Sequence, residues 1–298
     1  MLATSASFRF LHRIIGNGGP EPHEYAELNE IFEYIAAAFR AGELSKADQE
    51  SLYEGFGSNE AIGHTILGHA RAKPFGYAGD FLIIDKIYRQ EVTDDGRLCK
   101  WDIFWHRQPA TRAVRNRKDY FIRMVRKTLR ARDSFRLLNI ASGPGRDLAE
   151  AYARIDPARM QTVCVEADDK AIAYASNLNA SFKDHIEFIH RNVFRFDTHQ
   201  RFDVAWSAGL FDYFEDGVFV KLLQKMMGWT KPGGEVIVGN FGDHNPTRGY
   251  MEIISEWYLH HRSAGHLREL ALRAGADAER VYVEREPEGV NLFLHIGV

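Results

Sequence analysis

Leu137-Leu138-Asn139-Ile140-Ala141-Ser142-Gly143-Pro144-Gly145-Arg146-Asp147 reads as an apolar strand running into a glycine-rich turn and then a helix. Glycine lets a backbone pass close beneath a ligand, and free N–H groups at a helix start can meet a carboxylate. A Gly-Pro-Gly turn is also a common tight connection, so its meaning depends on the segments around it.

Downstream, strands and helices alternate. The patterning predicts strands over 136–141, 162–166, 186–190, 202–207 and 235–240, with helices over 147–155, 169–180 and 216–230. Such alternation indicates βαβ units and a mostly parallel sheet. After a helix near 263–274, strands at 280–285 and 291–298 join through Pro287-Glu288-Gly289, a hairpin signal. Upstream of Phe135 no strand pattern occurs. Leu28, Ile31, Phe32, Ile35 and Phe39 share a helical stripe, Ser45 opens another helix, 60–70 reads as helical, and 109–132 is a long basic helix. The chain therefore divides into a helical region, 1–132, and an α/β domain, 133–298.

Further residues fit a nucleoside ligand. Glu166 ends the second strand, 21 residues after Gly145, where a carboxylate can accept both hydroxyls of a ribose. Asn192 and Val193 follow the third strand at the place for an adenine, although Asn192 also suits a plain turn. Ser207 and Ala208 end the fourth strand with small side chains.

On these residues the segment from about 135 to 298 resembles the class I S-adenosylmethionine-dependent methyltransferases. Gly143 and Gly145 match the glycine loop, Glu166 the ribose acid, and Lys231-Pro232-Gly233-Gly234 the turn before strand five. The resemblance implies a Rossmann-like α/β sheet of strand order 3-2-1-4-5-7-6. It also implies S-adenosyl-L-methionine as cofactor, held by Ala141, Ser142, Gly143, Gly145, Asp147, Glu166, Ala167, Asn192, Val193, Ser207 and Ala208, with no metal. Two positions depart from the pattern: Asn139 stands where an acid is common, and Ala141 replaces the first glycine. Ala141 is expected to fit only with a negative φ.

A narrower resemblance rests on Lys73-Pro74-Phe75-Gly76-Tyr77-Ala78-Gly79-Asp80, with Ala113-Val114-Arg115-Asn116-Arg117 and Trp257-Tyr258-Leu259-His260-His261-Arg262. These are similar to a bacterial family associated with making 3-hydroxypalmitic acid methyl ester, an extracellular signal. That likeness implies a carboxylate acceptor.

The helical region offers acceptor candidates. Arg107, Arg112, Arg115, Arg117, Lys118, Arg123, Arg126, Lys127, Arg130 and Arg132 crowd one segment. Positions 115, 119, 122, 126 and 129 share a face, so Arg115 and Arg126 are expected to flank Ile122. The bland reading is a solvated helix paired with acidic neighbours; the sharper one is an arginine clamping a carboxylate. Tyr77 and Asp80 lie in a glycine-flanked loop that reads as a helix cap or as a lid with catalytic groups. Tyr250, Trp257, His260 and Arg262 follow strand five, Trp257 and Tyr258 on an amphipathic helix, with His260 as an optional base. The expected acceptor is a small molecule, anionic or with an apolar tail.

The expected reaction is O-methylation of a hydroxy or fatty acid, with N-methylation of a small amine or a non-catalytic cofactor-sensing protein as alternatives. An NAD-dependent dehydrogenase would need a third glycine after Arg146. A nucleic-acid methylase would carry an Asn-Pro-Pro or Asp-Pro-Pro aromatic tetrad after strand four. Net charge of −3 gives no general attraction to nucleic acid, and no apolar stretch approaches a membrane span. Two cysteines and the absence of a leader-like start suit a reducing cytoplasm. Oligomeric state is left open.

Overall fold

The computed structural model describes residues 2–57 and 62–298; residues 60 and 61 of the helical reading over 60–70 lie outside them. Two compact units divide the chain: Met1–Arg112 with Asn245–Tyr258, and Ala113–His244 with Leu259–Val298. The expected boundary at 132/133 is corrected in two ways. The basic helix changes unit near its start, and an excursion after the fifth strand groups with the helical unit.

The helical unit contains α1 (Leu2–Gly16), α2 (Tyr25–Arg40), α3 (Lys46–Glu54), α4 (Ile66–Ala72), α5 (Phe81–Arg89) and α6 (Cys99–Arg107). To these the excursion adds α11 (Arg248–Ser255). Leu28, Phe32 and Ile35 form the buried stripe of α2. Gly249 lets α11 approach: a Cβ there would stand 2.6 Å from the Phe32 carbonyl oxygen. Arg40 then pairs with buried Glu252 at 2.7 Å, tying α2 to α11 across 212 residues. Helix α4 ends at Lys73 in the left-handed region, φ 45°, and Asp80 caps the next helix.

The second unit is built on a seven-stranded sheet in the order β3-β2-β1-β4-β5-β7-β6. Its strands are β1 (Phe135–Ile140), β2 (Met160–Glu166), β3 (Ile186–His190), β4 (Phe202–Ser207), β5 (Thr230–Phe241), β6 (Val281–Arg285) and β7 (Asn291–Gly297). The first five pair in parallel, while β7 runs antiparallel to both β5 and β6. This is the class I methyltransferase order, as expected from the sequence. Both faces are covered, which explains the near-continuous apolar strands. Neighbours along β1 point to opposite faces: Leu137 joins a core with Phe121 and Val125 of α7 (Pro109–Ala131), plus Leu148 and Tyr152 of α8 (Arg146–Tyr152). Leu138 joins a core with Phe219, Leu222 and Met226 of α10 (Asp216–Trp229), plus Leu267 and Leu270 of α12 (Ala264–Arg273). Between β2 and β3 lies α9 (Asp169–Leu178). Lys231–Gly234 loops out of the ladder, where pairing steps from Phe202↔Thr230 to Val204↔Glu235.

Candidate active site

The parallel strands place the glycine turn above the C-terminal end of β1, where open α/β sheets bind ligands. Its two glycines do different work. Gly145 has φ 66°, and a Cβ would fall 2.9 Å from Asn179 Nδ2 and 3.1 Å from Ala175 Cβ, so it is needed for packing against α9. Gly143 has φ 56°, and a Cβ there would meet nothing within 4 Å. The open side of the turn lies at Gly143. Ala141 is a correction: its φ is +54°, in the left-handed region that its Cβ disfavours. Its N–H donates to the Val165 carbonyl at 2.8 Å, and this bond holds the turn to β2.

Glu166 is buried at the end of β2. Its Oε2 accepts from the Gly143 N–H at 3.0 Å, and its Oε1 accepts from the Ala167 and Asp168 N–H groups at 2.8 and 3.1 Å. The turn and the acid therefore form one cradle. Ser142 and Val193 are buried; Asn192 is exposed and caps a short turn by accepting from the Phe194 N–H. Ser207 is buried, and its hydroxyl has no partner among the described residues, nor has Asn139 Nδ2. Buried polar groups are normally satisfied, so two orphans at neighbouring strand ends fit a polar ligand seated there.

Three further groups converge on these strand ends. Arg117, from α7, is 8% exposed and donates from Nη1 to the Ala208 carbonyl. A Cβ at Gly209 would lie 3.0 Å from that nitrogen, so Gly209 makes room for the guanidinium. Burial pushes the half-buried Asp147 carboxyl up to about 6, a rise that the Arg117 charge moderates. Burial likewise pushes Asp212, just past β4, up to about 6 despite the Phe241 N–H bond and the Arg117 and Arg262 charges. Spacing along α7 pointed to Arg115; the structure leaves Arg115 half-buried, exposes Arg126 and sends Arg117 inward. Nothing periodic marks Asp212.

Other candidates fall elsewhere. Asp80 is 1% exposed; it accepts from the Leu82 and Ile83 N–H groups and pairs with buried His69 at 2.8 Å, as a helix cap would. Tyr77 is exposed in its loop. Tyr250 is buried among Phe32, Phe104 and Trp105, with ring centroids 5.1–5.3 Å apart. Trp257 and Tyr258 lie past the end of α11, not on a helix, because Glu256 turns left-handed at φ 46°. Arg262 is buried and held by Asp216, Asn240 and the Phe214 carbonyl, which makes it a strut. His260 is partly exposed, 3.7 Å from Glu215, while its backbone N–H donates to the Asp212 carbonyl.

At the opposite, N-terminal end of the strands, Arg123, Arg126, Lys127 and Arg130 border a groove floored by Tyr120, His295 and Glu235. Most of the basic helix therefore faces away from the glycine turn. No group of three or more metal-ligating side chains occurs among the described residues, and no helix among them is long and apolar enough to cross a membrane.

Residues 137–234 match the family model described as a methyltransferase domain. Comparison with curated proteins gives no match. The fold resembles a possible exported protein from Bordetella parapertussis, 15% identical, with a TM-score of 0.62 over 98% of this chain and 96% of that one. It also resembles a putative O-methyltransferase from Nostoc punctiforme, 12% identical, with a TM-score of 0.53 over 79% and 70%. A third likeness is the CurJ carbon methyltransferase, 12% identical, with a TM-score of 0.52 over 73% and 58%. Domain match, strand order and cradle agree: residues 137–234 form a methyltransferase domain within a class I methyltransferase fold, which supports an S-adenosylmethionine-dependent methyltransferase activity.

Proposed function

We propose that this methyltransferase acts on an oxygen of a small carboxylic acid. The supporting observation is Arg117, a buried guanidinium brought to the Ala208-Gly209 end of β4. A guanidinium matches a carboxylate in charge and planar geometry, and burial strengthens the pairing. When bound, S-adenosylmethionine supplies a sulfonium methyl group, whose carbon bonds to the acceptor oxygen as the carbon–sulfur bond breaks and sulfur keeps the electron pair.

The protein's share is placement. Glu166 and the Gly143 N–H set the turn, Ser207 and Ala208 keep the strand end small, and Arg117 orients the acid. A carboxylate is already ionised at neutral pH, so this acceptor needs no base; alignment at near-attack distance supplies the rate enhancement. A small amine is the second reading, favoured by Asp212: a carboxyl pushed up to about 6 suits proton removal from an ammonium.

The test supplies cofactor labelled in the methyl group with fatty acids, hydroxy acids and amines. An ester product releases labelled methanol in mild alkali; a methylamine does not. Replacing Arg117 with Met is expected to raise KM for the acid about 10- to 100-fold, in the range of a charged hydrogen bond. Transfer to amines alone would overturn the carboxylate reading.

A further inference from the structure

A groove of about 860 Å³ runs between the C-terminal half of α7 and the β5-β7-β6 edge of the sheet, inside one unit and at the far end of the strands from the glycine turn. Its floor is a connected set of side chains. His295 is buried, with Nδ1 2.8 Å from Glu235 Oε1 and Nε2 2.7 Å from the Tyr120 hydroxyl, which donates to Glu284. The Tyr282 ring stacks on His295, 4.4 Å between centroids, and its hydroxyl donates to Glu235 at 2.9 Å. Around this floor the charges do not balance. Asp203 is paired with Arg132 and Lys231, Glu235 is held by His295 and Tyr282, and Glu284 by Tyr120. Glu279 is the carboxylate left over. Against it stand Arg123, Arg126, Lys127, Arg130 and Arg280, all exposed, whose side chains make no hydrogen bond or ion pair among the described residues. Arg123 does lie over the Tyr120 ring, 5.6 Å from its centroid, and Arg280 lies against Gly297, where a Cβ would stand 2.9 Å from its Nε. The four cations on α7 fall at i, i+3, i+4 and i+7, so they share a face and repel one another. The helix C-terminus favours a cation only in its last turn, which holds Arg130 alone. A solvated helix paired with acidic neighbours does not describe this stretch.

We propose that this groove binds a short polyphosphate chain, free or carried on a nucleotide, as a second ligand site apart from methyl transfer. A guanidinium pairs with phosphate oxygens through two parallel N–H bonds, and cations spaced along a helix face meet more than one phosphate. The groove has the volume of a small-molecule site, which favours a short chain over a nucleic-acid strand laid across the surface. The exposed Tyr282 ring, held by Glu235 and His295, is a platform for a base where the chain carries one. The site lies outside the proposed acceptor chemistry and does not depend on it.

Calorimetric titration of the full chain tests it, with S-adenosylhomocysteine present in excess so that the cofactor crevice is not available to the probes. The probes are inorganic tripolyphosphate, adenosine triphosphate, adenosine and a single-stranded oligonucleotide. Tripolyphosphate and adenosine triphosphate are expected to bind, and adenosine is not. The double variant Arg126→Gln, Arg130→Gln should weaken both by at least about tenfold, the effect of one charged hydrogen bond, while an unchanged urea midpoint shows that the fold is intact. Tighter binding of adenosine triphosphate than of tripolyphosphate assigns the chain to a nucleotide; equal binding assigns it to the free form. Failure of both to bind, or equal affinities in wild type and the double variant, would overturn the proposal. Binding of the oligonucleotide alone would overturn it too, in favour of a nucleic-acid surface.

Discussion

The Glu166 carboxylate and the Gly143 backbone N–H, 23 positions apart in the chain, are joined by a 3.0 Å hydrogen bond. It ties the acid of the second strand to the turn after the first. Gly143 faces open space where a side chain would otherwise be, and Gly145 is closed by Asn179 and Ala175. One glycine thus opens the cradle and the other anchors it.

Ala141 stores strain that can be measured. Its φ of +54° costs an L-residue about 1–2 kcal/mol, whereas glycine adopts it freely at an entropic cost of about 0.5–1 kcal/mol. Ala141→Gly is therefore expected to raise stability by about 0.5–1 kcal/mol in urea unfolding. A loss of stability would show that the Ala141 methyl makes contacts worth more than the strain.

Asp80 is expected to behave as a structural residue. It satisfies two helix N–H groups and faces buried His69. Removing it loses a cap, about 0.5–2 kcal/mol, and leaves His69 without its partner, about 1–3 kcal/mol more. Asp80→Ala should lower stability by about 2–4 kcal/mol, while the folded fraction keeps its kcat. A kcat loss greater than 100-fold in folded protein would return Asp80 to the catalytic list.

Asp212 gives a pH signature. Its carboxyl is pushed up to about 6, against about 3.9 in an unfolded chain, with Arg117 and Arg262 as the charges acting on it. Between those values the folded protein holds a proton that the unfolded chain has released. Stability from this group is therefore largest below about pH 4 and declines as pH rises to about 6. Asp203, Asp216 and Glu235 are shifted downward and act in the opposite sense, losing stability as pH falls. Subtracting the Asp212→Asn profile from the wild-type profile isolates Asp212. The difference should slope downward from pH 4 to 6 and then flatten; a flat difference throughout would contradict the burial of this carboxyl.

The sheet was legible because both of its faces are covered. Runs such as Thr162-Val163-Cys164-Val165 have no solvated side, so composition alone marks them, and 186–190 and 202–207 agree at both ends. Gly143 and Glu166 were legible because a backbone requirement and a strand end fix their places. What escaped depends on long-range contact. Gly249 is glycine because α11 approaches the Phe32 backbone, which no local pattern reveals. Helical spacing along α7 ranks faces but does not say which arginine finds a carbonyl, so the bond from Arg117 to Ala208 was not legible. Ala141 shows that the bond to Val165 and the packing of the turn outweigh a residue's own φ preference.

The cradle itself is tested most directly by titrating S-adenosylhomocysteine into wild type and Glu166→Ala. Loss of the carboxylate that holds the turn, and that is assigned to the sugar, should raise Kd at least about tenfold, the effect of one charged hydrogen bond. An equal Kd in the two proteins would place the cofactor in some other crevice and contradict the site described.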